Sequence, residues 1–374
     1  MRFIGLDGLR GLMCLWVVIG HTITMAGVEL GKNTFFGKIL GKGLAVDVFF
    51  IISGFVITTL LLNKEIPCNK YLKQRVLRIF PAYLIFLTLS ALIVNEVVFS
   101  LQNFPVDIEK TSDRLRYATA SVTDFKSHFF THLFMLHGIT PSYILKNPSF
   151  TLMGQAWSLT LQFQFFILAP FFIFILRKNV FLLAFLVTLI FASSKYFLEV
   201  MGHNSFFLAN SDMFFVGMFS AIFLNAKKMN KLANKSFYTL SLIFLFSTSL
   251  YQWLSDGLLV AIPIIIWSVC FYIEISATTS PLKTLYKAVL TNRLSIFLGK
   301  ISYSMYCCHM LFLYGFSFIL IKKNTDLEVY TPVMLIVPIL FTITVSYLSY
   351  EYIEKYFTKL GKGMQKSSIQ QRAI

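Results

Sequence analysis

The chain has 374 residues, of which 56% are hydrophobic and only 13% are charged. A soluble domain carries about 25% charged residues, so this sequence is too poor in charge to cover a water-facing surface. Disorder and a disulfide-stapled secreted fold are excluded on the same grounds. The composition therefore indicates a protein whose surroundings are mostly lipid.

A helix needs about 20 apolar residues to cross the hydrocarbon core of a bilayer. Runs of suitable length and composition lie near 8–28, 43–63, 80–100, 152–176, 179–198, 206–225, 236–254, 258–276, 297–321 and 331–350. The sequence therefore predicts an all-α polytopic membrane protein with about ten transmembrane helices. A polar insert at 101–150 separates the third predicted span from the fourth, and a basic tail follows at 358–374.

The basic residues predict the orientation of the spans. They outnumber the acidic residues by 33 to 17, which gives a formal charge of +16. In membrane proteins Lys and Arg concentrate in cytoplasmic loops, and with the N-terminus inside, 22 of the 33 fall on the inner side. The excess alternates from loop to loop instead of forming one patch, which argues against a nucleic-acid partner. Both termini are predicted in the cytoplasm, for a multi-pass protein of the cytoplasmic (inner) membrane.

Ionisable residues inside the first span indicate a functional site, because such groups are costly in lipid. Arg10 and His21 are eleven residues apart, which in a helix is 20° past three turns and about 16 Å along the axis. Both are therefore predicted on one helix face, where Asp7 lies one turn before Arg10 and can pair with it. The alternative is a snorkelling arginine and a structural histidine.

The second span adds an acid and a serine. A carboxylate such as Asp47 can accept the Nδ1–H of an imidazole, which fixes the tautomer and leaves Nε2 as a base; an anchor at the outer interface is the alternative. Ser53 is a candidate cavity residue, although the Ser53–Gly54 pair also favours close helix packing.

Two arginines follow the second span at a helical spacing. Arg75 and Arg78 are predicted on a short amphipathic helix that Pro81 joins to the third span. Guanidinium groups bind phosphate with two parallel hydrogen bonds, so the pair suits a cytosolic phosphate ligand. The alternative is an ordinary positive-inside anchor.

Further polar residues inside the spans are candidate cavity-lining residues. They are Trp157, Ser158, Gln162 and Gln164 in the fourth span and Tyr306 and His309 in the ninth. For His309 the alternative is a structural histidine with satisfied hydrogen bonds. His128, His132 and His137 in the polar insert have no carboxylate or cysteine to complete a zinc site, so no metal is predicted.

Several motifs taken in order resemble those of the acyltransferase-3 family of integral-membrane acyltransferases. They are LDGLRG…HT, VDVFFIISGFVIT, QRVLRIFPAY, AWSLTLQFQFF, GKISYSMYCCHM and YEYIEK. Each is weak alone, but their order and spacing match over essentially residues 3–357, so 1–357 is expected to be one domain. The resemblance implies ten membrane helices and an acyl-CoA donor, usually acetyl-CoA. It also implies an acceptor hydroxyl outside the cell, often on a bacterial surface glycan or lipid-linked sugar.

The resemblance also implies roles for individual residues. Arg10 and His21 match the family's signature of an arginine and a histidine separated by ten residues, which is associated with transfer. Asp47 matches the acid of the second-span motif. Arg75 and Arg78 match the paired arginines associated with the CoA phosphates.

The fourth-span motif carries one departure from the family. Trp157 and Ser158 match its WSL segment, but Gln162 stands where many members have Glu, so any proton handling by that Glu is altered or absent here. Residues 358–374 are expected to be a basic cytoplasmic tail. The chain is therefore expected to be the standalone form, without the extracytoplasmic hydrolase-like domain of fused members.

Residues and resemblance together predict a membrane O-acyltransferase that moves an acetyl group from cytosolic acetyl-CoA to a hydroxyl of an extracytoplasmic surface glycan. His21, oriented by Asp47, is predicted to remove the hydroxyl proton, with the donor passing Arg10. An acyl group carried transiently on His21 is the other route. The alternative function is a transporter or flippase of a glycan or small anionic substrate, but the prolines of the spans do not form the matched halves that many transporters show.

Overall fold

The computed structural model describes residues 3–28, 37, 43–64, 66–106, 109–225, 261–276 and 280–370. Regular secondary structure in these residues is helical, and they contain no strand. By its internal contacts the chain divides into two compact units. The first unit comprises residues 1–17, 31–66 and 161–299, and the second comprises 18–30, 67–160 and 300–374.

The helices of the described residues are numbered in chain order. They are α1 (Ile4–Met25), α2 (Leu44–Asn63), α3 (Cys68–Leu92), α4 (Val94–Gln102), α5 (Glu109–Thr123), α6 (Phe125–Leu133), α7 (Ala156–Lys178), α8 (Val180–Met201), α9 (Asp212–Asn225), α10 (Ile262–Ile275), α11 (Pro281–Leu290), α12 (Arg293–Lys322), α13 (Leu327–Ser349) and α14 (Lys355–Gln370). Short 3-10 turns lie at Leu136–Gly138 and Phe207–Ala209, and one π-helical turn, Tyr350–Glu354, joins α13 to α14.

Within the described residues, seven helical stretches are long and apolar enough to cross a membrane. They are α1, α2, α3, α7, α8, α12 and the run from α13 to Gly363, and they correspond to seven predicted spans. Helices α9 and α10 fall on two more, and each has 14 residues in the part of the chain that the structure describes. The predicted span 236–254 lies outside the described residues. The polytopic helical fold is confirmed, whereas the count of ten and the side of each terminus stay predictions.

Helix α3 corrects the prediction of a short amphipathic helix followed by a separate span. It runs unbroken from Cys68 to Leu92 with Pro81 inside. A proline removes one backbone donor, and a helix in lipid tolerates it when protein neighbours hold the surrounding backbone. Here the Tyr303 hydroxyl donates to the carbonyl of Ile79 at 2.7 Å. The two predicted phosphate-binding arginines therefore lie on the same continuous helix as the span.

In the first unit, two glycines bring the backbones of α2 and α9 together. A Cβ atom added to Gly54 would overlap the carbonyl oxygen of Phe214, and one added to Gly217 would overlap that of Ile51. Close crossings at small residues are a main way in which helices associate in lipid. The predicted packing role of the Ser53–Gly54 pair is thus confirmed at Gly54.

Aromatic rings fill the space around this crossing. The ring of Phe214 stacks on that of Phe50 with centroids 4.6 Å apart and on that of Phe165 with centroids 4.7 Å apart. All three side chains are buried. Because a helix bundle in lipid depends on van der Waals contact, such stacking gives many of the 41 phenylalanines a structural role.

The LDGLRG motif has a structural role in the first unit as well. Gly11 approaches α12 so closely that an added Cβ would overlap the backbone nitrogen of Gly299. At the start of α1, the N–H of Gly5 donates to Oε1 of Glu274 at 3.3 Å, and the Tyr286 hydroxyl donates to the same oxygen at 2.7 Å. A carboxylate at a helix N-terminus is favourable, so these contacts fix the first turn of α1.

In the second unit, a line of buried hydroxyl groups fixes the other end of α1. Ser100 of α4 and Ser317 of α12 lie 2.7 Å apart, Ser317 and Tyr330 of α13 lie 2.9 Å apart, and Tyr330 donates to the carbonyl of Met25 at 3.1 Å. A carbonyl only accepts, so Ser317 donates to Tyr330 in turn. These bonds hold the last turn of α1, and His21 lies one turn earlier.

Candidate active site

His21 lies near the C-terminal end of α1, in the second unit, and contacts two residues that are distant in sequence. Nη2 of Arg114 is 2.9 Å from Nδ1 of His21. The ring of His309 from α12 lies 5.3 Å from the His21 ring, centroid to centroid, at an interplanar angle of 33°. The structure thus brings together two residues that the sequence singled out, and it adds Arg114, which the sequence did not.

The partners of the two imidazoles define which nitrogen of each neutral ring carries the hydrogen. A guanidinium group only donates, so Nδ1 of His21 accepts from Arg114 and the hydrogen lies on Nε2. Nδ1 of His309 is 2.8 Å from the carbonyl oxygen of Tyr306, which only accepts, so His309 carries its hydrogen on Nδ1. Nε2 of His309 is buried and has no hydrogen-bond partner among the described residues.

Tyr306 connects His309 to the segment at the start of α7. Its ring centroid is 5.7 Å from that of His309, and its hydroxyl is 2.6 Å from Oγ of Ser158. Just before α7, the side-chain amide of Gln155 donates to the carbonyl of Cys307 at 2.7 Å. Three predicted cavity-lining residues, Ser158, Tyr306 and His309, therefore lie in one connected polar group with His21.

Helix α5, within the polar insert 101–150, positions Arg114. Ala118 of α5 belongs to a buried cluster with Leu101 of α4, and Tyr314 of α12 packs against it. Arg114 precedes Ala118 by four residues and so shares its face of the helix. Nη1 of Arg114 is buried and has no hydrogen-bond partner in the part of the chain that the structure describes. Arg114 thus has one bonded amino group and one unsatisfied amino group beside His21.

The two arginines predicted to bind phosphates lie one turn apart on α3, also in the second unit. Arg78 is exposed, and Arg75 is half-buried with its guanidinium 5.5 Å from the centroid of the Tyr71 ring. The side-chain amide of Gln74 donates to the carbonyl of Gly361 at 3.4 Å, so α14 packs beside this part of α3. The described part of the basic segment, 358–370, is helical, and it begins near the arginine pair.

Two predicted cavity-lining glutamines lie in the first unit. The side-chain amide of Gln162 donates to Oγ of Ser53, so two candidates meet there. Gln164 donates to the carbonyl of Ser205 at 2.9 Å and accepts from the N–H of Phe207 at 2.9 Å. Because both ends of its amide bind backbone, Gln164 has a clear structural role at this turn.

The remaining predicted site residues are half-buried. Asp7 and Arg10 lie in the first unit on α1, Asp47 lies in the first turn of α2, and Trp157 lies at the start of α7. The catalytic roles of Arg10 and Asp47 stay predictions. The sequence predicts that Asp47 orients the imidazole of His21 by accepting its Nδ1–H. In the structure, the partner found at Nδ1 of His21 is instead Nη2 of Arg114.

Three buried histidines form a separate group in the polar insert. The rings of His132 and His137 stack with centroids 4.0 Å apart, Nδ1 of His132 donates to the carbonyl of His128 at 2.9 Å, and Nδ1 of His128 is 2.9 Å from the Thr151 hydroxyl. Burial lowers the pKa of His132 well below its ordinary value, and it also lowers that of His128. Across the described residues, no group of three or more His, Cys, Asp or Glu could hold a metal ion.

Seven long apolar helical stretches, together with a partly buried group of histidine, arginine and tyrosine side chains in the second unit, define a class of protein. It is an integral membrane protein with a polar group among its helices. A family model described as an acyltransferase domain matches residues 3–351. The chain therefore belongs to the acyltransferase-3 family, and the resemblance seen in the motifs is confirmed.

The relatives that the chain matches carry the name O-acetyltransferase. The chain is 25% identical over 388 residues to the O-acetyltransferase OatA of Staphylococcus aureus strain NCTC 8325, covering 96% of this chain and 57% of that protein. It is also 25% identical over 397 residues to a putative O-acetyltransferase of strain COL, covering 96% of this chain and 58% of that one. The chain thus spans less than two thirds of the length of these relatives. No solved structure matches it significantly.

Proposed function

We propose that the protein is an O-acetyltransferase of the cytoplasmic membrane, which transfers an acetyl group from cytosolic acetyl-CoA to a hydroxyl of an extracytoplasmic glycan. The observation that carries this proposal is the partly buried polar group around His21 in a chain that matches the acyltransferase family over residues 3–351. The names of the O-acetyltransferase relatives support acetyl as the transferred group. The glycan acceptor and the CoA donor follow from the family resemblance.

In this reaction His21 accepts the proton of the acceptor hydroxyl while the hydroxyl oxygen attacks the thioester carbonyl carbon. General-base assistance of this kind is worth about 10²–10⁴ in rate. The carbon–sulfur bond then breaks, and the CoA sulfur takes up the proton that His21 held. Arg10 and Asp47, which match the family's motifs, are proposed as further catalytic residues. The thioester supplies the driving force, so the reaction requires no metal ion or nucleotide.

Arg75 and Arg78 are proposed to bind the phosphate groups of CoA. The exposure of Arg78 and the helical spacing of the pair support this role, because a guanidinium one turn from another can bind neighbouring phosphate oxygens. Membrane lipid surrounds the apolar helices. The acceptor, a glycan or a lipid-linked sugar, is proposed to reach His21 from the opposite side of the membrane.

The test uses the full chain purified in detergent with radiolabelled acetyl-CoA. We expect the wild-type protein to release free CoA with water or a sugar hydroxyl as acceptor, and we expect His21→Ala to abolish that release while its expression and elution volume stay unchanged. Thr24→Ala, one turn further along α1, is the matched control, because the Thr24 hydroxyl bonds, within the described residues, to the carbonyl of Gly20 in its own helix. This control should keep wild-type activity.

A second readout follows the product in cells. The surface glycan of cells that express the wild-type chain should carry a mass increment of ~42 Da for each ester formed, as expected for covalent acetyl transfer, and cells with His21→Ala should lack it. A wild-type protein that neither releases CoA nor changes the glycan would contradict the proposed function. Activity retained in His21→Ala would remove His21 from the reaction.

A further inference from the structure

We propose that Arg114 is a catalytic residue of the transfer reaction. It selects Nδ1 of His21 as the basic atom, and it binds the oxygen that becomes negatively charged when the thioester is attacked. This role depends on the acetyl transfer proposed above, and it adds to the site a residue of the polar insert that lies outside the sequence motifs of the family.

The hydrogen bond between Arg114 and His21 determines which nitrogen can act as a base. A guanidinium group stays protonated in proteins and only donates, so the lone pair of His21 that faces it, 2.9 Å away, lies on Nδ1. A neutral imidazole has one such lone pair, because its other nitrogen carries hydrogen. The acceptor hydroxyl must therefore replace Arg114 at Nδ1 before His21 can take its proton.

The second amino group of Arg114, Nη1, is a donor that can bind an atom of a ligand. Nη1 is buried and has no hydrogen-bond partner among the residues that the structure describes. An unsatisfied buried donor, especially a charged one, costs free energy and calls for an explanation. An oxygen atom of a bound ligand at Nη1 would satisfy this donor, and it would lie within a few ångströms of Nδ1 because Nη1 and Nη2 belong to one planar group.

The carbonyl oxygen of the acetyl thioester is the ligand atom that fits this position. As the acceptor oxygen forms its bond to the carbonyl carbon, its proton moves to Nδ1 of His21 and the carbonyl electrons move onto the oxygen. That oxyanion accepts a hydrogen bond from Arg114. When the carbonyl re-forms, the carbon–sulfur bond breaks and the sulfur takes the proton from His21, which leaves an acetyl ester and free CoA.

The charges explain why Arg114 favours the transition state over the resting state. At rest, the hydrogen-bond partner of the Arg114 side chain within the described residues is the neutral imidazole of His21. Once Nδ1 is protonated, two cations stand side by side, and the oxyanion between them offsets their repulsion. An interaction that strengthens only in the transition state raises kcat, and the loss of one oxyanion donor typically lowers kcat by about 10²–10³.

The test compares Arg114→Ala with Arg116→Ala, a control two residues along the same helix. Arg116 is exposed and pairs with Asp113 at 3.0 Å, so its removal should leave kcat within about two-fold of wild type. For Arg114→Ala we expect kcat for CoA release from acetyl-CoA to fall about 10²–10³-fold, with the KM for acetyl-CoA unchanged. Arg114→Lys keeps the charge but loses the planar pair of donors, and it should lower kcat about ten-fold.

Chemical rescue separates a catalytic role from a structural one. Guanidinium ion at about 10–50 mM should raise the rate of Arg114→Ala at least about ten-fold by supplying the missing donors, and it should not raise that of His21→Ala. Wild-type kcat in Arg114→Ala would overturn the proposal, as would a folded Arg114→Ala that guanidinium does not rescue. If the alanine variant does not fold, wild-type kcat in Arg114→Lys overturns it. A wild-type protein without CoA release would instead refute the proposed function.

Discussion

The imidazoles of His132 and His137 stack in the buried part of the polar insert, where protonation of His132 costs free energy. Both side chains are inaccessible to solvent. Burial, and then the neighbouring His137, lower the pKa of His132 well below its ordinary value of 6.5. The folded insert therefore keeps His132 neutral at pH values at which an unfolded chain already binds a proton.

The free energy of unfolding should fall as the pH falls. Above about pH 6.5 neither state binds a proton at His132, and the full stability is present. Below that pH the unfolded chain takes up a proton that the folded insert excludes. For one histidine the loss is about 1.4 kcal/mol at about pH 5.5 and about 2.7 kcal/mol at about pH 4.5, until the pH reaches the pKa of the folded state.

Thermal unfolding of the purified protein at a series of pH values tests this, with hydrogen exchange of the 125–153 segment as the local readout. His132→Phe is the matched variant, because a phenyl ring keeps the surface that stacks on His137 but cannot bind a proton. We expect its stability to fall less steeply below about pH 6.5, by about 1.4 kcal/mol per pH unit. The difference at about pH 7.5, where both side chains are neutral, measures the lost hydrogen bond to His128 and is subtracted. Identical pH dependence in both proteins would refute the reasoning.

Two further predictions concern the donor site and the helix crossing. Arg75→Ala combined with Arg78→Ala should raise the KM for acetyl-CoA at least about ten-fold, because each charge-assisted hydrogen bond is worth about 1.5–3 kcal/mol. Lys73→Ala, on the same helix, is the control. An unchanged KM in the double variant would contradict the proposed phosphate-binding site. Gly54→Ala should lower the free energy of unfolding by about 1–3 kcal/mol, because the added Cβ overlaps α9. Gly315→Ala, whose added Cβ lies in open space, should instead raise it by about 0.5–1 kcal/mol. Equal unfolding temperatures for these two variants would argue against the close crossing of α2 and α9.

Hydropathy predicted most of the long helices, because a chain that crosses lipid must form apolar helices whose backbone groups bond to one another. The sequence also predicted a split between two spans at Arg177 and Lys178. In the structure α7 includes both residues and ends at Lys178, and Asn179 caps α8 by accepting hydrogen bonds from the N–H groups of Phe181 and Leu182. A polar residue between two apolar runs has a local effect, so this boundary could be predicted without tertiary contacts.

The start of α9 could not be predicted in that way. The apolar segment 206–211 counted toward a span, yet it contains the 3-10 turn Phe207–Ala209, and α9 begins only at Asp212. The side chain of Gln164, more than forty residues earlier, bonds to the carbonyl of Ser205 and the N–H of Phe207. Because those bonds satisfy the turn's backbone from outside, apolar composition alone does not predict where the helix begins.

Arg114 shows where sequence reasoning about the site stopped. In the sequence Arg114 and Arg116 look alike, two residues apart in a polar insert. They point about 200° apart around a helix, and the face of Arg114 also holds the small, buried residues Thr111, Ala118 and Ser121. Small side chains leave room for a long one to extend inward, so a single arginine on such a face is a signal of a buried guanidinium. Its partner, His21, lies 93 residues away, and only the packing of α5 against α4 and α12 brings the two together.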